Sequence, residues 1–329
     1  MKLATLKNGH KDGRLVVVSR DLRHAADAAA VAPTLLAALE DWRRCEAPLR
    51  ALYDRLNAGD VAGAFDFDPR QAAAPLPRAP QWCDGSAFLN HGRLMETAFK
   101  MPPIPDFDTV PVMYQGASDD FLGPCDDVPL PDEAQGIDFE GEFGVIVDEV
   151  PIACPPHLAA RHVRLLVQIN DVSLRALGPR EMKTGFGFLQ AKPSSSFAPV
   201  AVTPDELGDA WRDAKVHLDL HIELNGEWFG HPNGGEMNFG FDRLIAHAAA
   251  TRRLSAGTVI GSGTVSNAGG AAGSACIAER RAIETIAHGA AKTPFMKFGD
   301  RVRMQAQLRG APVFGAIDQL VVRASLPHE

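Results

Sequence analysis

The run Ile137-Asp-Phe-Glu-Gly-Glu-Phe-Gly-Val-Ile-Val147 constrains this chain more than any other stretch of similar length. Its far end is apolar and β-branched, which favours a strand. With a side-chain period of two, Asp138, Glu140 and Glu142 then share one face, and Phe139, Phe143 and Val145 share the other. Carboxylates two residues apart on a partly buried strand repel one another and lose hydration. They must take up protons or gather a cation, and a hard divalent ion that prefers oxygen ligands resolves the conflict best. The plainer alternative is an exposed edge strand whose Asp and Glu side chains meet water, and the Glu-x-Glu spacing alone favours it.

At 329 residues the chain has room for one large domain and a small one. A hydrophobic fraction of 46% beside 22% charged residues is that of a globular protein. The net charge of −8 and the lack of any basic stripe argue against nucleic acid as a partner. Five scattered cysteines without a Cys-x-x-Cys pair fit reduced thiols. The first residues lack a secretory apolar core, and no run of about 18 apolar residues suggests a membrane span. The expectation is a cytoplasmic protein with no membrane partner.

Along the chain, Leu15–Ser19 reads as a strand, and Pro33–Trp42 and Glu46–Asn57 read as helices. The Ala/Pro-rich stretch from Asp68 to Pro80 reads as an extended connector. A small N-terminal domain, residues 1–78, and a larger one, residues 79–329, follow as the natural partition. Strand signals dominate the second part. Arg164–Asn170 is nearly all apolar, and Val216 to Leu224 alternates strictly before Asn225-Gly226, the strongest hairpin signal in the chain. Val302–Leu308, a turn at Arg309-Gly310 and Val313–Ile317 suggest a second hairpin. Thr203-Pro-Asp-Glu206 reads as a capping box, and Phe241 to Leu254 as an amphipathic helix. This is an α+β pattern rather than a regular βαβ alternation.

Metalloprotease, nucleophile-elbow and P-loop signatures are absent. Gly261-Ser-Gly-Thr lacks the third glycine of a dinucleotide fold, and Cys and His do not cluster at zinc spacing. What remains is acidic. Asp171 closes the apolar strand before it, as a third oxygen ligand or a helix cap. Asp84 and His91 lie seven residues apart, although a lone His is more often structural than catalytic. Lys192 stands between apolar residues and a proline, where it either faces an anion or reaches solvent along its stem. Residues 100–111 are too rich in proline for regular helix, and a lid or a rigid loop fits them equally.

The order of these pieces adds a further constraint. Asp-x6-His, then Glu-x-Glu, then Asn-Asp-x-Ser-x-Arg, then Gly-Phe-x-x-x-Lys-Pro, then Gly-Ser-Gly-Thr resembles the fumarylacetoacetate hydrolase superfamily over most of residues 80–320. The first 78 residues resemble the N-terminal domain of its bacterial two-domain members. The resemblance implies a mixed β-roll, a homodimer, and one divalent cofactor ion: Mg²⁺ first, with Ca²⁺ or Mn²⁺ as alternatives. Carried over residue by residue, it makes Asp84, Glu140, Glu142 and Asp171 metal ligands, His91 the general base and Lys192 a polarising group. Glu279, on a strand running from Gly273, would partner His91. Arg175, Thr264 and Ser86 would contact substrate, Ser86 standing where the family carries a tyrosine, as Met182 does at a second position and Gly178 in place of a glutamine.

The implied activity is hydrolysis of a carbon–carbon bond in a small dioxo acid of the fumarylacetoacetate, fumarylpyruvate or acylpyruvate type, within aromatic-compound (tyrosine) breakdown. A metal-held enolate leaving group and a His-activated water fit that chemistry. Two rivals remain open at this stage. One is a decarboxylase, hydratase or isomerase of 2-oxo acids on the same scaffold. The other is a non-catalytic metal-binding homologue, against which His91 and Lys192 argue, since a structural ion needs neither.

Overall fold

The acidic run forms strand in two pieces rather than one. Ile137–Asp138 pairs with Ser173–Leu174, whereas Gly141–Val147 pairs antiparallel with Val163–Asn170. Glu140 lies between them and makes an isolated bridge to Cys276. This break separates side chains that a continuous pleat would align. The chain is described here by a computed structural model over residues 1–100 and 102–325.

Gly141–Val147 lies deep in an eleven-stranded mixed sheet. On one side of it, Val163–Asn170, Ala201–Val202, Lys2–Leu6, Arg14–Val18, His24–Asp27 and Phe65–Asp66 follow in order. On the other side come Val259–Gly261, Trp82–Gly85 and Met113–Gly116. A second sheet of six strands is built around Asp219–Leu224, Arg301–Leu308 and Ile317–Arg323. Both faces of the large sheet are covered, which is why its central strands read as apolar runs. Phe143, Val145 and Val147 join a core with Leu220, Ile222 and Met304 of the second sheet. Ile146, Leu165 and Val167 face the other way, into a core with Leu3, Leu15, Trp42 and Leu49.

The N-terminal region therefore shares both a sheet and a core with the rest of the chain. Its helices Leu35–Glu40 and Trp42–Asn57 cover the large sheet. The second of these begins earlier than its apolar spacing predicts and carries Pro48 within its second turn. Elsewhere the helix at Phe241–Ala248 stops short of Leu254. Thr203 makes no side-chain cap to the 3₁₀ turn that follows it. The expected hairpin does form: Asn225 and Gly226 both have positive φ and join Asp219–Leu224 to Glu227–Gly230. At the chain's far end Val313–Ile317 is not a strand; the returning strand begins only at Ile317. Among the described residues no helix is long and apolar enough to cross a membrane.

Gly144 shows how closely this scaffold is packed. A Cβ placed there would lie 2.7 Å from Ile169 Cδ1 and 3.1 Å from the Ile260 carbonyl oxygen. The sheet backbone cannot move aside without breaking its ladder. Gly144→Ala is expected to cost about 1–3 kcal/mol through overpacking, read as a lower urea midpoint at unchanged slope. An unchanged midpoint would mean that the sheet is looser than its geometry.

Candidate active site

Sheet register brings the first carboxylates together. Gly261 is the register partner of both Asp84 and Gly144, so a residue without a side chain separates the strand of Asp84 from the strand of Glu142. A Cβ on Gly261 would fall 2.3 Å from Asp84 Oδ1. The missing atom leaves Asp84 room on the same face as Glu142. Asp171 follows the strand Val163–Asn170, and its N–H donates to the Glu140 carbonyl at 2.9 Å. Ligand oxygens of Asp84, Glu142 and Asp171 lie within 4.8 Å of one another. All three side chains are buried.

Three negative groups in so small a space demand compensation. Lys192 Nζ donates to Glu140 Oε2 and to Asp171 Oδ2. Ser195 Oγ donates to Asp171 Oδ1 at 2.7 Å, and Tyr114 Oη donates to Oδ2 at 2.6 Å. The Asp84 Oδ1 atom accepts from Gly263 N–H at 3.0 Å. Glu142 is left out: both of its buried oxygens lack a protein partner. Burial, then the Asp84 and Asp171 charges, push its pKa well above the usual carboxylate range. Burial and Asp171 likewise push Asp84 up to about 8. For Lys192 burial pulls the other way, but Asp171 and Glu140 outweigh it and hold the ammonium charged. Tyr114, its pKa raised by burial and then by Asp171, stays a protonated donor.

Beside this cluster lies an imidazole with its own carboxylate. His91 sits in the first turn of the helix Leu89–Phe99, and its Nδ1 is 2.9 Å from Glu279 Oε2. Glu279 is not on a strand, as the sequence suggests, but in the first turn of the helix Ile277–His288. That helix is anchored by Asp138, which is fully buried and stands outside the group of Asp84, Glu142 and Asp171. Its oxygens accept from Ile277 N–H at 2.7 Å and from Ala278 N–H at 2.9 Å. An N-terminal turn has exactly such unpaired donors to offer. Asp138 also accepts from Arg175 Nε at 2.8 Å, while the same guanidinium donates to Glu140 Oε1 at 2.6 Å. Asp138 thus ties the acidic strand to the helix that carries Glu279.

Asp84, Glu140, Glu142, Asp171, His91, Lys192, Glu279 and Arg175 therefore converge from separate elements. Thr264 and Ser86 lie just beyond the paired strands that carry Gly261 and Asp84, and neither makes a side-chain hydrogen bond to the carboxylates. The segment 100–111 includes Met101, which lies outside the described residues. Beyond it, Phe107 is buried against Gly92, and the Asp108 and Thr109 carbonyls accept from Asn238 and Arg243. Two participants escape sequence reasoning. Tyr114 gives only the signal that it is one of two tyrosines in the chain. Cys276 gives none, yet its sulfur lies within 4.8 Å of ligand atoms of both His91 and Glu140.

An all-oxygen donor set with an orphaned buried carboxylate fits a hard divalent cation. The family model for the fumarylacetoacetate hydrolase C-terminal domain matches residues 81–322. That for fumarylacetoacetase N-terminal domain 2 matches residues 1–78. A 2,4-didehydro-3-deoxy-L-rhamnonate hydrolase of Sphingomonas is 32% identical over 49% of this chain and 54% of its own length. An oxaloacetate tautomerase of Xenopus laevis is 27% identical over 47% of each chain. The chain spans about half the length of the curated relatives it matches. Among solved structures, the fumarylacetoacetate hydrolase of Exiguobacterium antarcticum superposes with a TM-score of 0.66 at 21% identity, covering 98% of this chain and 99% of that one. Maleylpyruvate hydrolase of Sphingobium, in complex with manganese(II) and pyruvate, gives 0.65 at 18% identity over 99% and 100%. These likenesses establish the shared fold.

Proposed function

The chain belongs to the fumarylacetoacetate hydrolase family, and on that premise we propose that it hydrolyses a carbon–carbon bond between two carbonyl groups of a small dioxo acid. Asp84, Glu140, Glu142 and Asp171 would hold the divalent ion, Mg²⁺ or Mn²⁺. When bound, the ion supplies Lewis-acid stabilisation to negative charge developing on a chelated substrate oxygen. The single observation that carries this reading is the His91–Glu279 pair set beside an orphaned carboxylate, Glu142.

The chain's own residues supply the remaining chemistry. His91 Nε2, with Nδ1 held by Glu279, takes a proton from water, and the carboxylate stabilises the imidazolium that results. The hydroxide attacks the carbonyl carbon, and Lys192 donates to the oxyanion that forms. The bond to the neighbouring carbon then breaks, and His91 returns its proton to the departing carbanionic fragment. Arg175 and Thr264 orient the substrate carboxylate, and Ser86 lines the same mouth. Tyr114 keeps Asp171 in place. The names of the relatives support dioxo and 2-oxo acids as the substrate class, and acylpyruvates of aromatic-compound breakdown are its first candidates. We further propose a homodimer, and a division between the two domains after residue 78.

The test is a panel of acylpyruvates, fumarylpyruvate, fumarylacetoacetate and oxaloacetate with Mg²⁺ or Mn²⁺, with both products followed. Two carboxylic or keto products in equal amounts are expected. His91→Ala should lower kcat about 10²–10⁴-fold, the usual worth of a general base, while substrate still binds. A second reading, keto–enol or double-bond isomerisation, is favoured by the tautomerase among the relatives and needs the same His91–Glu279 pair but no water. Interconversion without cleavage would select it and overturn the hydrolase reading.

A further inference from the structure

We propose that His91, Glu140 and Cys276 form a second metal site, selective for Zn²⁺, whose occupancy takes the imidazole of His91 out of catalysis. The site itself rests on geometry; its inhibitory effect rests on the function proposed above.

One ligand atom from each of the three side chains lies within 4.8 Å of the others. A tetrahedral zinc site with bonds of about 2.0–2.3 Å has ligand-to-ligand edges of about 3.3–3.8 Å. Closing to those edges requires Glu140 to release Arg175 or Lys192, which hold its two oxygens. Cys276 and Glu140 are buried, so the pocket is screened from bulk water. His91 engages Glu279 through Nδ1, which leaves Nε2 as the ligand atom. A carboxylate behind an imidazole is the usual support of a zinc-bound histidine, since it fixes the ring and raises its basicity. The Cys276 sulfur accepts from Glu279 N–H at 3.3 Å at the start of the helix Ile277–His288. Burial, then the Asp138 charge, push the Cys276 thiol well above its ordinary value, so it keeps its proton until a bound metal displaces it.

Charge around the pocket is mixed. Arg175 and Lys192 oppose a cation; Asp138, Glu140 and Glu279 favour it. On binding, the thiol loses its proton to solvent and the sulfur–zinc bond replaces the sulfur–hydrogen bond, with no change of oxidation state. Donor hardness divides the two clusters. The oxygens of Asp84, Glu142 and Asp171 suit Mg²⁺ or Mn²⁺, whereas nitrogen, oxygen and sulfur together suit Zn²⁺. Glu140 stands between them, its two oxygens held by Arg175 and Lys192.

The experiment uses the full chain loaded with Mg²⁺ and titrated with Co²⁺, then Zn²⁺. The expected result is a near-ultraviolet thiolate-to-cobalt charge-transfer band, about one ion per chain, that Zn²⁺ abolishes. Cys276→Ser should lack the band and bind Zn²⁺ at least about tenfold more weakly. Serine can still cap the helix, so circular dichroism should match the parent. Added Zn²⁺ should inhibit the parent and spare the variant. An unchanged band in Cys276→Ser, or no thiolate band in the parent, overturns the site. A band without inhibition of an active enzyme overturns its inhibitory role. A band in a protein that turns over no dioxo acid supports the site and counts against the proposed function alone.

Discussion

Replacing Glu142 by Gln is expected to abolish divalent-ion binding and, in the metal-free protein, to raise the melting temperature. Both effects come from one fact: the carboxylate is buried among Asp84 and Asp171 with neither oxygen hydrogen-bonded by protein. Keeping that carboxyl protonated in the metal-free fold, where the unfolded chain would ionise it, costs free energy that a neutral amide of the same shape avoids. Removing the carboxyl should stabilise the metal-free fold by about 1–3 kcal/mol, the cost of a buried polar group without a hydrogen-bond partner.

The pH dependence has a definite sign. Asp84 has its pKa raised from 3.8 to about 8, and Glu142 is shifted the same way. Between those limits the folded protein holds protons that the unfolded chain has released. Metal-free stability is therefore full below the unfolded value and falls as pH rises towards 8. The slope should be shallower in Glu142→Gln, and saturating Mg²⁺ or Mn²⁺ should reverse it in the parent. Thermal unfolding at several pH values with and without chelator measures this, and calorimetry measures ion affinity. A variant that melts lower than its parent when metal-free, or that keeps its ion, would remove Glu142 from the site.

Lys192→Met should move the metal-free protein in the opposite direction. The ammonium is the direct counter-charge of Glu140 and Asp171. Taking one partner from a buried ionic network strands the others, at a cost of about 3–5 kcal/mol. A divalent ion restores positive charge to the same oxygens, so the variant's stability should depend steeply on ion concentration. Turnover should not recover with it, because a bound ion does not replace a donor to the oxyanion. The loss expected is about 10²–10³ in kcat, the worth of one such donor. The pair of variants thus separates two roles: Glu142 demands a cation, and Lys192 stands in for one. Equal metal-free stabilities of Lys192→Met and its parent would show that the network is solvated and its charges already screened.

Much of this was legible in local pattern. The Glu-x-Glu run, the apolar strand ending at Asp171 and the Asn225-Gly226 turn are each dictated by neighbours in the chain, where side-chain period and turn chemistry act. The ordered series from Asp84 to Thr264 carried the family resemblance, and the family models match residues 1–78 and 81–322. Failures occurred where a local rule met a distant competitor. Asp138 has the right parity to join Glu140 and Glu142, yet helix N–H groups at Ile277 and Ala278 and the Arg175 guanidinium claim it first. Glu279 lies in a stretch that reads as strand, but Cys276 and Asp138 together cap a helix there. Separately, the N-terminal segment reads as a unit of its own, and the structure adds that Lys2–Leu6 pairs with Ala201–Val202 within a shared sheet.

By itself, then, the sequence determined which residue types were available: an acidic strand, a histidine seven residues after an aspartate, a lysine in apolar company. Those choices follow from periodicity and from the cost of dehydrating charge, which act over a few residues. Only the tertiary structure decided which carboxylate stays unpaired, which one anchors a helix, and that Tyr114 and Cys276 stand beside the reactive groups. Such partnerships are fixed by strand register and by competition among donors far apart in the chain, and no local pattern records either.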